Sequence, residues 1–175
     1  MLKMIDRIGN SMNFMKCMAL TLITFSSIFS GCIFSDENEL EEFPTFSLTD
    51  EQGNIHNNSD YIGQPFIAYF SASWRSHCKP VLQSLDDTIN EGQLIVFNKE
   101  PREQYNDMNE WKDRMESELE RNLSHPFIHA PPLSESLNVL DIPTMFFVNS
   151  DGMIEHRMSG LNDKETIETY WNELS

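Results

Sequence analysis

Cysteine is scarce in this chain, with three in 175 residues. Two of them, Cys17 and Cys32, fall in an N-terminal segment with the marks of a targeting signal, so the folded part keeps one thiol, Cys78. One thiol alone cannot both attack a disulfide and resolve the mixed disulfide that results. Basic residues are also few: 12 Lys and Arg stand against 28 Asp and Glu, a formal charge of −16. A surface this acidic repels phosphate backbones and anionic headgroups, which argues against a nucleic-acid partner. The longest apolar stretch falls short of the roughly 18 residues expected of a spanning helix. There is no internal repeat, and the length suits one domain with a real core and argues against a second.

What the N-terminus does contain is ordered like a secretory signal. Lys16 precedes the apolar stretch from Met18 to Phe29, and Ser30-Gly31-Cys32 follows. These are a positive n-region, an h-region and a small-residue cleavage site. Small residues before a cysteine resemble a lipoprotein signal, with residues 1–32 as signal peptide and Cys32 as the lipidated first residue of the mature chain. The alternative is an uncleaved signal anchor. Both hold the rest of the chain on the extracytoplasmic face of the membrane. Removing residues 1–32 takes away Lys3, Arg7 and Lys16 but only one acid, Asp6, and leaves 27 acidic and 9 basic residues, a formal charge of −18. Residues 33–42 are acidic and without periodicity, which reads as a solvated tether. The domain is expected over 43–175.

Within it, strands and helices alternate. Phe46 and Leu48 share a face of a half-buried strand, and the turn Glu51-Gln52-Gly53-Asn54 leads to a second short one. The runs Phe66 to Phe70, Leu94 to Phe97 and Met145 to Val148 are continuously apolar, as in strands covered on both faces. Asn149-Ser150-Asp151-Gly152 then predicts a hairpin turn into a strand from Met153 to Met158. Three helices are expected. One runs over 76–89, with Cys78, Leu82, Leu85 and Ile89 on its apolar stripe, and one over 102–122, with Tyr105, Met108, Trp111, Met115 and Leu119. The last follows Asn162 as N-cap. The sum is an α/β fold with a central mixed sheet flanked by helices.

The stretch Trp74-Arg75-Ser76-His77-Cys78-Lys79-Pro80 follows the first buried strand directly. Together with the opening Phe43 to His56, and with Leu137 to Gly160 around Ile142-Pro143-Thr144, it resembles the thioredoxin-like proteins of the TlpA/ResA and AhpC/TSA (redoxin) kind. The resemblance covers nearly the whole mature chain, and it implies a thioredoxin-like fold with a cis-proline loop at Ile142-Pro143. In that family a Trp-Cys-x-x-Cys sequence sits where a central strand turns into a helix. The first thiolate, activated at the helix N-terminus, attacks a substrate disulfide and the second resolves it. Here Arg75 stands at the attacking position and Cys78 at the resolving one. His77 occupies the place of a histidine that in related sites stabilises the attacking thiolate.

Two functions remain open on these residues. One is a redox-degenerate module that binds an exported protein or peptide at the cis-proline groove through Trp74, Arg75, His77 and Pro143, with Arg75 as a fixed positive charge for an anion. The other is a thiol-disulfide oxidoreductase or peroxidase-type enzyme that uses Cys78 alone, although the Arg-x-x-Cys lacks the threonine and proline of a peroxiredoxin site. Cys78 on the apolar stripe favours the first reading, since burial makes a thiol inert. No cofactor is implied. His125 and His129 are four apart, but Pro126, Pro131 and Pro132 break any helix that would align them, so a loop with two satisfied histidines and no metal is expected.

Overall fold

The computed structural model describes residues 40–174. The signal peptide, the lipidation at Cys32 and residues 33–39 of the expected tether lie outside the described residues. Its main sheet has six strands in the order β1-β8-β7-β4-β5-β6. These are β1 (Glu41–Glu42), β4 (Phe66–Ser71), β5 (Leu94–Asn98), β6 (Phe127–His129), β7 (Thr144–Val148) and β8 (Met153–Ser159), while β2 (Ser47–Thr49) and β3 (Ile55–Asn57) form a separate hairpin. The sheet is mixed: β4, β5 and β6 are parallel, and β7, β8 and β1 are joined antiparallel. The helices are α1 (Lys79–Thr88), α2 (Asp107–Leu119), α3 (Pro131–Ser136) and α4 (Lys164–Glu173).

Alternation along β4 explains why its sequence is apolar throughout. Ile67 and Tyr69 point into a core shared with Val81, Leu82, Leu85, Met108, Trp111 and Ile167, which belong to α1, α2 and α4. Phe66, Ala68 and Phe70 point the other way, toward Phe43, Phe46, Tyr61, the α3 residue Leu133 and Leu137 just after that helix. Each large side chain so buried stabilises the fold by roughly 1.5–3 kcal/mol, before the loss of chain entropy is counted. The consequence is a rigid central strand whose C-terminal end carries the residues of interest.

Several sequence expectations shift. The expected tether runs to 42, but Glu41 and Glu42 pair with Ile154 and Met153, so its last two residues form a strand of the sheet through main-chain bonds that composition does not reveal. The expected helix over 102–122 starts only at Asp107. Its would-be first turn is held instead by side chains: Glu100 accepts from the Arg102 amide at 3.1 Å and Asp107 from the Gln104 amide at 2.7 Å. Tyr105 is therefore exposed, while Met108, Trp111 and Met115 pack in the core as expected. The loop expected around the two histidines is in part the edge strand β6, followed by α3, whose first turn accepts Pro131 and Pro132 because those positions need no intrahelical N–H donor. The N-cap of α4 is Asp163, which accepts from the Thr166 amide at 2.9 Å, while Asn162 turns its side chain to the Gly160 carbonyl.

Candidate functional site

The site forms where β4 ends. Its backbone leaves the sheet at Ser71 and tightens through two hydrogen bonds, from the Arg75 amide to the Ala72 carbonyl at 3.2 Å and from the Cys78 amide to the Arg75 carbonyl at 3.1 Å. Ser76–Cys78 make one 3-10 turn, and α1 continues from Lys79 with Pro80 in its first turn, where proline is tolerated. The effect is to divide the heptapeptide. Trp74, Arg75, Ser76 and His77 are exposed, whereas Cys78 is turned into the core at 4% exposure.

Burial, against the pull of its neighbours, holds Cys78 protonated. Burial pushes its thiol above the usual range. The Ser71 and Tyr69 hydroxyls and the Arg75 cation act in the opposite sense but do not prevail. Tyr69, fully buried, donates its hydroxyl to the Cys78 carbonyl at 2.9 Å and so pins the turn that carries the sulfur. Ser71 Oγ is buried without a hydrogen bond of normal geometry. A thiol in this setting is a poor nucleophile, because the thiolate is the reactive form.

On the outer side, Ala72, Trp74, Arg75, Lys99, Glu100, Pro101, Leu140 and Ile142 line an open cleft of about 170 Å³. The Arg75 guanidinium lies 5.1 Å from the centre of the Trp74 ring, a cation–π contact. The ring is held by its Nε1, which donates to Glu100 at 3.2 Å. Glu100 in turn receives Arg102 at 2.7 and 2.9 Å, and that guanidinium keeps its carboxyl down at about 2. Lys99 Nζ donates to the Val139 and Leu140 carbonyls at 2.5 and 2.9 Å, tying the end of β5 to the segment before Ile142. Behind the cleft Glu103 accepts from Ser73 Oγ at 2.6 Å and from Asn98 Nδ2, which braces the two strand ends against each other.

The Ile142-Pro143 bond is cis. Pro143 itself is buried, and its carbonyl is taken by the Gly160 amide at 2.8 Å, so the residue of that loop that reaches the cleft is Ile142. Of the residues singled out from sequence, Trp74 and Arg75 line the cleft, whereas buried Pro143, buried Cys78 and exposed His77 are not part of its lining. Lys99, Glu100 and Leu140 were not anticipated. A signal for the first two existed: Lys99-Glu100-Pro101 directly follows the buried run of β5, and the loops after adjacent parallel strands open on the same edge.

The two histidines stay apart from this site and from each other. His125 is buried with Nε2 3.1 Å from Asp86 Oδ1, and His129 faces Asn98 at 3.3 Å. Among the described residues no three His, Cys, Asp or Glu side chains cluster as metal ligands. Nor is any described helix long and apolar enough to cross a membrane.

No protein-family model matches the chain. Thiol-disulfide oxidoreductase ResA of Geobacillus kaustophilus (strain HTA426) is 28% identical to it over 130 residues, 73% of this chain and 72% of the relative. Among solved structures, the pneumococcal exposed lipoprotein thioredoxin Etrx1 from Streptococcus pneumoniae strain TIGR4 superposes with a TM-score of 0.61 at 23% identity, over 75% of this chain and 100% of that one. StoA from Bacillus subtilis superposes with a TM-score of 0.57 at 24% identity, over 75% of this chain and 98% of that one. The structural likenesses establish the fold. That fold is thioredoxin-like, and in sequence the chain is similar to a thiol-disulfide oxidoreductase of the ResA kind.

Proposed function

We propose that the chain is a membrane-anchored, extracytoplasmic thioredoxin-like module that binds an exported protein or peptide at the groove beside Ile142-Pro143 and does not exchange disulfides. One observation carries the reading: Cys78, the single cysteine among the described residues, is buried, while the exposed position three residues earlier holds Arg75. Dithiol chemistry requires an exposed thiolate at that outer position. An arginine there leaves the groove open and the chemistry without its nucleophile. The N-terminal signal, with Cys32 as its lipid-bearing residue, supports the anchor, and one structural relative is described as an exposed lipoprotein.

The competing reading, an enzyme working through Cys78 alone, has the nearby Arg75 cation in its favour and burial against it. Insulin-disulfide reduction separates the two. The natural chain should reduce insulin no faster than a reaction without protein, and Arg75→Cys should gain measurable turnover. Insulin reduction by the natural chain above the protein-free rate, matching that of the variant, overturns the proposal.

A further inference from the structure

Three of the chain's 12 Lys and Arg residues belong to the N-terminal segment. Of the nine among the described residues, seven donate to a carboxylate or to a main-chain carbonyl, and an eighth, Lys164, forms an ion pair with Glu168 at 3.6 Å. The ninth is Arg75, whose guanidinium has neither kind of partner among the described residues and lies over the Trp74 ring. In a chain with 28 acids this is a departure from what charge alone would produce. The cation–π contact holds the exposed guanidinium beside the ring and leaves its N–H groups without a protein acceptor among the described residues, and such a planar fork can receive a carboxylate in two parallel hydrogen bonds.

The cleft around it has matching chemistry. Its one carboxylate, Glu100, is 11% exposed and already engaged by Arg102, so it does not compete for Arg75. Lys99 adds a second positive charge to the wall. Pro101, Ile142 and Leu140 supply an apolar side, and Leu140 is 82% exposed. A local positive spot of this kind survives on an acidic protein, because charges more than about 8 Å away are screened at physiological salt.

We propose that the cleft takes an acidic side chain, Asp or Glu, of an extended partner peptide. Its carboxylate pairs with Arg75, and a neighbouring apolar side chain of the peptide packs on Leu140 and Ile142. This rests on the reading of the groove as a binding site and names what it selects.

The test is a selection on the immobilised full-length chain, using a library of random peptides displayed through their C-termini so that no free terminal carboxylate is present. The expected result is enrichment of Asp or Glu beside an apolar residue. A synthetic amidated peptide of the enriched sequence should lose roughly ten-fold or more in affinity with Arg75→Gln, as for a charge-assisted hydrogen bond. Replacing its acidic residue by the amide should weaken binding to the natural chain equally, a measurement that does not depend on how the variant folds. The two changes together should cost little more than either alone. Enrichment without an acidic preference, or affinity indifferent to Arg75→Gln, overturns this inference and leaves the binding module standing. No enrichment over a bare surface overturns both.

Discussion

Arg75 and Cys78 are joined by a main-chain hydrogen bond of 3.1 Å, yet their side chains part, the guanidinium outward over Trp74 and the sulfur inward beneath Tyr69. Spacing of three on a helix would bring two side chains to one face. Here the intervening residues form a 3-10 turn entered from extended backbone at Arg75 (φ −89°, ψ 94°), and the shared face is lost. Position, more than residue type, sends the two side chains to opposite sides of the turn, although the Arg75 charge still acts on the thiol in the sense opposed to burial.

From this follows the behaviour of the thiol. Native Cys78 should react with an aromatic disulfide reagent such as DTNB at neutral pH at least about 100-fold more slowly than the same chain in denaturant, because it is both shielded and held protonated. Stopped-flow absorbance reads both rates. Comparable rates would mean that the sulfur is open to solvent.

The second prediction concerns a buried ion pair outside the site. Lys112 Nζ on α2 lies 2.5 Å from Glu51 Oε1, with side chains 9% and 2% exposed, and the pair also binds main chain: Lys112 to the His125 carbonyl at 3.0 Å and Glu51 to the Phe127 amide at 2.8 Å. It therefore fastens the turn after β2 to the start of β6. Lys112→Met leaves a buried carboxylate without its cation and should cost about 3–5 kcal/mol in urea unfolding. Adding Glu51→Gln should recover part of that loss, since the amide can still accept from Phe127. A double variant as unstable as the sum of the singles would show that the two charges do not act together.

How legible all this was depends on what kind of force set each feature. The buried strands β4, β5 and β7 were readable because burial on both faces demands apolar residues in an unbroken run, and Phe66 to Phe70 is such a run. The orientation of Cys78 was readable from its place on the stripe with Leu82 and Leu85. Strands β1 and β6 were not. Glu41 and Glu42 are exposed and pair only through main chain, and β6 is three residues long between prolines. The cleft was half legible: Trp74 and Arg75 came from the motif, whereas Glu100 and Lys99 act through side-chain geometry that no local pattern encodes. The short start of α2 has the same cause, because Glu100 and Asp107 satisfy the amides that a helix would otherwise take.

A third prediction separates backbone strain from crowding. Gly152 in the β7–β8 turn has φ +83° and its missing Cβ would stand 3.0 Å from Ile62 Cδ1, whereas Gly92 has φ +81° with nothing within 4 Å. Left-handed backbone costs a non-glycine residue roughly 1–2 kcal/mol. Gly92→Ala should show that cost alone, and Gly152→Ala should exceed it because Ile62 must move as well. Thermal or urea unfolding of the two variants gives the comparison, and equal losses would mean that Ile62 yields freely.

The last prediction follows from His125. Burial pushes its imidazole below the ordinary value of 6.5, opposed by the Asp86 carboxylate and, more weakly, by Glu91, while Lys112 reinforces burial. Its Nδ1 is buried without a partner, so a second proton has no acceptor there. A histidine whose folded value is depressed takes up its proton more readily when unfolded. Its contribution to stability is therefore complete above about pH 6.5 and is lost as pH falls toward the folded value. Partly buried His129, also pushed down by burial, acts in the same direction. Unfolding free energy measured by urea between pH 7.5 and about 5 should decline in the natural chain, and His125→Gln should flatten that decline whatever it does to stability at neutral pH. NMR titration of the imidazole resonances supplies an independent check: the His125 resonance should titrate below the ordinary value of 6.5. A His125 resonance that titrates at or above 6.5 would show that Asp86 outweighs burial, and the pH dependence would then take the opposite sign.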